Sequence, residues 1–176
     1  MLMATLTSVP VEEYLHTTYD PDREYVDGQL VERHVGEHNH SRMQIMLGAE
    51  LYLREGARRF RAFTEQCVRL SDEPRYRIPD VCVKGLPYDQ APVLTRPDLV
   101  IEIVSPDDEP TEILEKIADY QAAGVPYIWV VNPYKRTLIE ADHTGIRRAA
   151  GFVLSTPLVG DIDFAPLFAR LDEPAE

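Results

Sequence analysis

The sequence predicts an α/β fold, and three observations predict it. Glu24 to Val31 sets two apolar runs on either side of an Asp-Gly pair, the strongest short signal for a β-hairpin. Asp98 to Ser105 is a nearly continuous apolar, β-branched run, the pattern of a central strand covered on both faces. Thr111 to Ala123 is then helical in pattern and Tyr127 to Val131 is again apolar, so strand, helix and strand follow in the order of a crossover unit.

The remaining elements fit around these. Val11 to His16 predicts a short first helix, ended by turn chemistry at Asp20 and Pro21. From His40 to Arg54 apolar residues recur closely enough for a largely buried helix, with Asn39 or Ser41 as its cap and Gly56 as its stop. Phe60 to Thr64, Gln66 to Leu70 and Ile78 to Lys84 read as strands, and Asp89 to Pro97 as a proline-rich loop. After the central strand, Ser105 to Pro110 is an acidic turn, and Gly124 stops the helix that follows it. Arg136 to Ala141 and Ile146 to Val153, joined around Gly145, predict an antiparallel edge, and Asp172 to Glu176 a frayed end.

A chain of 176 residues has the length of one domain, taken here as residues 1–176. Its 44% hydrophobic and 27% charged residues are the balance of a globular protein that folds without a partner supplying its core. The longest apolar runs are too short to cross a bilayer, and no signal sequence opens the chain, so the expected setting is the cytoplasm, with no membrane partner. Cys67 and Cys82 lie in strand-like runs outside any zinc spacing, which predicts reduced, buried thiols. A formal charge of -12 repels nucleic acid at long range and argues against a simple DNA-coating protein. It leaves room for an enzyme whose metal-binding carboxylates are themselves acidic.

Glu102 is the most informative residue, because a carboxylate inside the run Leu99 to Val104 is costly to bury unless paired or bound to a metal. It reads either as a functional group or as a Glu paired with an Arg or on a solvated face. Asp80, after Pro79 in a strand-like segment, is its natural companion. Two carboxylates on neighbouring strands converge oxygen ligands as Mg²⁺ (or Mn²⁺) requires. Lys116, on the helix after the Glu102 strand, would orient the attacking water. The plainer reading of Lys116 is an i, i+4 pair with Glu112. Arg54, Arg58, Arg59 and Arg61 form a basic cluster that reads as a phosphate strip or as helix-end charge. His34, His38 and His40 lack further ligands at zinc spacing, and their polar stretch reads as a solvated loop.

Taken together, Val26-Asp27-Gly28-Gln29-Leu30-Val31, His40, Pro79-Asp80-Val81, Pro97 to Pro106 around Glu102, Lys116 with Tyr120, Gly124-Val125-Pro126 and Trp129 to Pro133 resemble the Uma2 family, formerly DUF820. The order and spacing of these segments match across nearly the whole chain. The resemblance implies a restriction endonuclease-like, PD-(D/E)XK-type fold, a mixed central β-sheet flanked by helices, with Asp80 and Glu102 at the two acidic, metal-binding positions. The (D/E)XK pattern would set a lysine two residues after Glu102, where Val104 stands. The family pattern carries that lysine on the following helix, here Lys116, with Glu112 in place of a family Asp. Glu24 matches a family acid before the Asp-Gly turn and reads as a third acidic group near the metal or as an exposed hairpin residue. His40 matches a family histidine that would contact a phosphate or a bound water, or would cap and pack the helix.

The function so implied is metal-dependent endonuclease cleavage of DNA phosphodiester bonds, with nucleic acid as partner and pairing into a homodimer. The alternative is a catalytically silent binding or assembly module on the same fold.

Overall fold

A computed structural model describes residues 8–32, 37–72 and 74–174. His34 and the last two residues of the terminus read as frayed lie outside them. After α1 (Val11–His16), β1 (Arg23–Val26) and β2 (Gln29–Glu32) form the expected hairpin, paired from Arg23↔Glu32 to Val26↔Gln29. Its two turn residues, Asp27 and Gly28, have φ of 51° and 83°, as the tight primed turn requires. A side chain at Gly28 would also meet the Ser8 Oγ at 2.5 Å.

α2 (His38–Arg58) begins earlier and ends later than the sequence pattern indicates. Glu37 occupies the cap position without a side-chain cap bond, so neither Asn39 nor Ser41 caps it. Gly56 lies inside the helix, because the stop comes at Arg59, in the left-handed conformation, whose amide donates to the Glu55 carbonyl at 3.0 Å. Met43, Met46, Leu47 and Leu51 recur at helical spacing and are buried, Met43, Leu47 and Leu51 completely. Full burial of a side chain such as Leu47 stabilises by about 1.5–3 kcal/mol.

β3 (Phe60–Thr64) is observed as expected. The next two strand expectations are only partly met: the first shrinks to β4 (Val68–Arg69), and the second, expected from Ile78, begins only at β6 (Val81–Gly85), after the unforeseen β5 (Tyr76–Arg77). Ile78, Pro79 and Asp80 separate β5 from β6, where Pro79 has no amide for a ladder. The proline-rich loop contains the short β7 (Leu94–Thr95), followed by β8 (Leu99–Ile103), α3 (Pro110–Ala122) and β9 (Tyr127–Asn132). The last edge is built of β10 (Thr137–Asp142) and β11 (Gly145–Arg148). Val153, expected to continue that edge, instead opens β12 (Val153–Thr156), which pairs with β13 (Gly160–Asp163) and leads to α4 (Ala165–Arg170).

The central six-stranded sheet has the order β11-β10-β9-β8-β6-β3. It is mixed: β8 pairs parallel with β9 through the α3 crossover, and antiparallel with β6. A second sheet, β2-β1-β5-β4-β7, was not foreseen beyond its hairpin. Strand alternation sends Leu99, Ile101 and Ile103 to a core shared with α2, the β12–β13 hairpin and α4. Val100, Ile128 and Val130 face the other way, onto Ile117 and Tyr120 of α3. β3 is one of the two outer strands of the sheet, and the amide of Ala62 that β6 does not use is taken by the Glu55 carboxylate at 2.7 Å. Among the described residues no helix is long and apolar enough to cross a membrane.

Candidate active site

The β6–β8 register creates the site. Its last pair is Val81↔Ile101, so one residue further the chain sets Asp80 beside Glu102. The Asp80 backbone is fixed there, its carbonyl accepting from the Gln44 side chain at 3.0 Å and from the Glu65 amide at 3.3 Å. Beyond the end of β6 the Ile103 amide has no strand partner on that side, and it donates to Asp80 Oδ2 at 2.7 Å. His40, in the first turn of α2, brings Nε2 to the same oxygen at 3.2 Å. Burial raises the Asp80 carboxyl, but the His40 contact, the Lys116 charge and the Ile103 amide outweigh it and hold the group below its ordinary value.

Glu102 shares the α3 face of β8 with Val100 and is 1% exposed. Lys116 and Tyr120, one turn apart on α3, both reach it: Nζ lies 3.1 Å from Oε2, and the Tyr120 hydroxyl donates to Oε1 at 2.5 Å. Burial and the neighbouring Asp80 and Glu24 charges push the Glu102 carboxyl up, against the pull of Lys116. For Lys116, burial works against the charge, yet Glu102, Glu24 and Asp80 hold the ammonium above its ordinary value. Burial, then the Glu102 charge, push the Cys82 thiol up to about 12; both cysteines are free thiols, as expected, but only Cys82 is buried and Cys67 is half-buried.

These groups border a cleft of about 160 Å³. Asp80, His40, Lys116, Glu112 and Glu24 line it, with Glu32, Asp108 and Glu115 at its wall. Glu102 does not; it lies behind the Lys116 and Tyr120 contacts. Among the described residues Arg77 and Lys116 are the only Arg or Lys on the wall, so the field of the described wall favours a cation and opposes an unneutralised phosphate.

Glu24, far from being an exposed hairpin residue, is 1% exposed and already engaged. Its Oε2 accepts from Arg77 Nη1 at 2.7 Å and its Oε1 from the Ile78 amide at 3.0 Å. Arg77 also holds Asp119 of α3, through Nε at 2.9 Å and Nη2 at 2.6 Å. Asp119 is gripped in turn by Arg75, which reaches Asp27 in the hairpin turn at 2.5 Å. Sequence reading missed Arg77 and Asp119. The signals for them were an Arg two residues before Pro79 and an Asp one turn beyond Lys116.

Other expectations resolve here. His38 and His40 lie in α2, so from His38 onward the stretch is helical and not the expected loop, while His34 lies outside the described residues. Arg54 donates to the Val159 and Asp161 carbonyls, at 3.2 and 2.5 Å, and Arg58 packs so closely on Gly160 that a Cβ there would come within 2.5 Å of its Nη2. These arginines tie α2 to the β12–β13 hairpin, and none of the cluster lines the cleft. Lys84 sits at the far end of β6 from Asp80, on the Arg96 carbonyl at 2.6 Å.

Two carboxylates of hard oxygen donors fit Mg²⁺ or Mn²⁺, which take few protein ligands and complete their shells with water and phosphate. Among the described residues no group of three or more His, Cys, Asp or Glu converges as a closed metal site would need, which does not fit structural zinc.

No curated protein matches the chain. A crystal structure from Anabaena variabilis, described as "a putative nuclease belonging to DUF820", is similar at TM-score 0.79 and 21% identity, covering 93% of this chain and 99% of that one. That likeness shows the fold, a restriction endonuclease-like arrangement of mixed sheet and flanking helices. A DrdV–DNA complex solved by cryo-EM is similar at TM-score 0.40 and 16% identity, over 74% of this chain and 12% of that one. A family model described as "Uma2: Putative restriction endonuclease" matches residues 11–141, and the chain therefore belongs to the Uma2 (DUF820) family of the PD-(D/E)XK-like nuclease superfamily.

Proposed function

We propose that this protein is a metal-dependent endonuclease that hydrolyses phosphodiester bonds of DNA, with Asp80 and Glu102 as ligands of Mg²⁺ or Mn²⁺. The observation that carries the reading is the pairing of β6 with β8, which sets two buried carboxylates side by side, Asp80 on the wall of the cleft and Glu102 behind it with Lys116 on one of its oxygens. The family's description as a restriction endonuclease supports it. When bound, the ion would polarise the phosphate and lower the pKa of a coordinated water. Asp80 is kept ionised and oriented by His40 and the Ile103 amide. Glu102 is aimed by Tyr120. Lys116, 21% exposed along its side chain, can reach from Glu102 toward the cleft to orient the nucleophile and offset charge at the phosphate. His40 and Glu112 would steer substrate and water at the wall, and Glu24 acts through Arg77.

One observation favours the silent-module reading: both Glu102 oxygens are already paired behind Lys116 and Tyr120, so a cation has to compete with the lysine there. Calorimetric titration with Mn²⁺, followed by a plasmid-nicking assay, separates the two. Binding that is abolished in both Asp80→Ala and Glu102→Ala, with cleavage lost and the circular-dichroism spectrum unchanged, is the expected result. Absence of Mn²⁺ binding and cleavage in the wild-type protein would leave the silent module.

A further inference from the structure

We propose that the buried Arg77–Asp119 pair, closed at its other end by Glu24, is a positioning device that fixes the rotation of α3 and so holds the Lys116 ammonium on Glu102. The inference builds on the site described above, but its geometry and its test stand apart from any metal or cleavage step.

Side chains on α3 follow a fixed angular order around its axis. At 3.6 residues per turn, Tyr120 lies about 40° to one side of Lys116 and Asp119 about 60° to the other. Beyond Tyr120 comes Ile117, and both are completely buried against Val100, Ile128 and Val130 of the central sheet. That apolar contact sets how closely α3 approaches the sheet, but a helix resting on one stripe can still roll about it. Asp119 is caught on the opposite side, by Arg77 through two nitrogens at 2.9 and 2.6 Å. Lys116 therefore stands between an apolar grip and an ionic one.

Arg77 can act as a fixed post because it is not free to move. It is 5% exposed, its third bond goes to Glu24 Oε2 at 2.7 Å, and Glu24 is pinned in turn by the Ile78 amide at 3.0 Å. A guanidinium holding carboxylates through several nitrogens has one allowed orientation, which a flexible lysine ammonium would not have. Ile78 and Arg77 lead directly through Pro79 to Asp80, so the same post sets the second carboxylate. The strand segment that carries one acid of the site thus clamps the helix that carries the lysine. Arg77 and Asp119 touch no reacting atom in this scheme; they are positioning residues.

The chain's composition gives a direct readout, because Lys84, Lys116 and Lys135 are its only lysines. Lys135 is exposed, and Lys84 is held on the Arg96 carbonyl, at the other end of β6 from Asp80. Acylation of each ε-amine in the full chain, followed by mass spectrometry, reports how firmly each is held. In the wild-type protein Lys116 should label slowly. In Asp119→Asn its rate should rise roughly three- to tenfold, the scale of coupling between groups in one ionic network, with Lys84 and Lys135 unchanged. Asp119→Glu, which keeps the carboxylate, should restore much of the slow rate. Should Asp119→Asn lose its folded circular-dichroism spectrum, Arg77→Lys, which keeps the charge and loses the fork, is read in the same way. An unchanged Lys116 rate in a folded variant overturns the proposal, as does an equal rise at Lys84, which would mark general loosening. Mn²⁺ titration plays no part in this readout, so a failure of the metal reading shows itself separately.

Discussion

Glu24 and Glu102 are equally buried, each 1% exposed and each on a strand, yet they are neutralised in opposite ways. Glu24 meets a rigid guanidinium and a backbone amide, and that guanidinium is itself locked onto Asp119. Glu102 meets a lysine on a flexible stem and a phenol, and burial pushes its carboxyl up. The first arrangement cannot be opened without leaving a buried charge unpaired; the second can exchange its lysine for another cation at small structural cost. Both carboxylates are of a type usually kept at the surface, and only the character of the partner distinguishes scaffold from site.

The comparison breaks first at Arg77. Replacing it in Arg77→Met takes the charged partner from Glu24, which keeps the Ile78 amide, leaves Asp119 to Arg75 alone, and should lower unfolding free energy by about 3–5 kcal/mol, read by urea denaturation. A loss below about 1 kcal/mol would mean that the two acids find other partners and that the contrast with Glu102 is false. Lys116→Met should be far gentler on the fold, because the Glu102 carboxyl, already pushed up, can take a proton in place of the lost partner. Its effect belongs to cleavage, expected to fall roughly a hundredfold while Mn²⁺ affinity stays level or improves slightly. Wild-type cleavage in that variant would remove the lysine from the reaction, and Lys84, at the wrong end of β6, offers no substitute. Tyr120→Phe sharpens the comparison at its smallest scale. Losing one hydroxyl bond to Glu102 should cost about 1 kcal/mol in thermal or urea unfolding and leave the Glu24 network untouched.

Much of the fold was legible because its central elements carry strong local signals. The Asp-Gly turn, the β8–α3–β9 crossover and the interior of α2 each follow from a pattern within a short window. The second sheet was not legible, since β4, β5 and β7 are two residues each and owe their existence to one another across the chain. The β12–β13 hairpin and α4 went unread for a similar reason: Val153 continues the apolar pattern of β11 but pairs with Asp163 instead. At the site, the apolar setting of Glu102 and the family resemblance led to Asp80 and Lys116. Their proximity became visible only through the β6–β8 register. Arg77 and Asp119 could not be paired from sequence, being 42 residues apart on elements whose packing depends on the unforeseen sheet.

The Glu55 carboxylate on the Ala62 amide has a further consequence, for how this molecule meets others. An outer strand with unsatisfied amides invites another chain to add itself to the sheet, the first step of ordered aggregation. Here one such amide is occupied by a charged group, with Arg61 3.7 Å from the same carboxylate. An incoming strand would have to expel that carboxylate and leave it without its amide. Growth of the sheet across this border is therefore discouraged by the protein's own side chains.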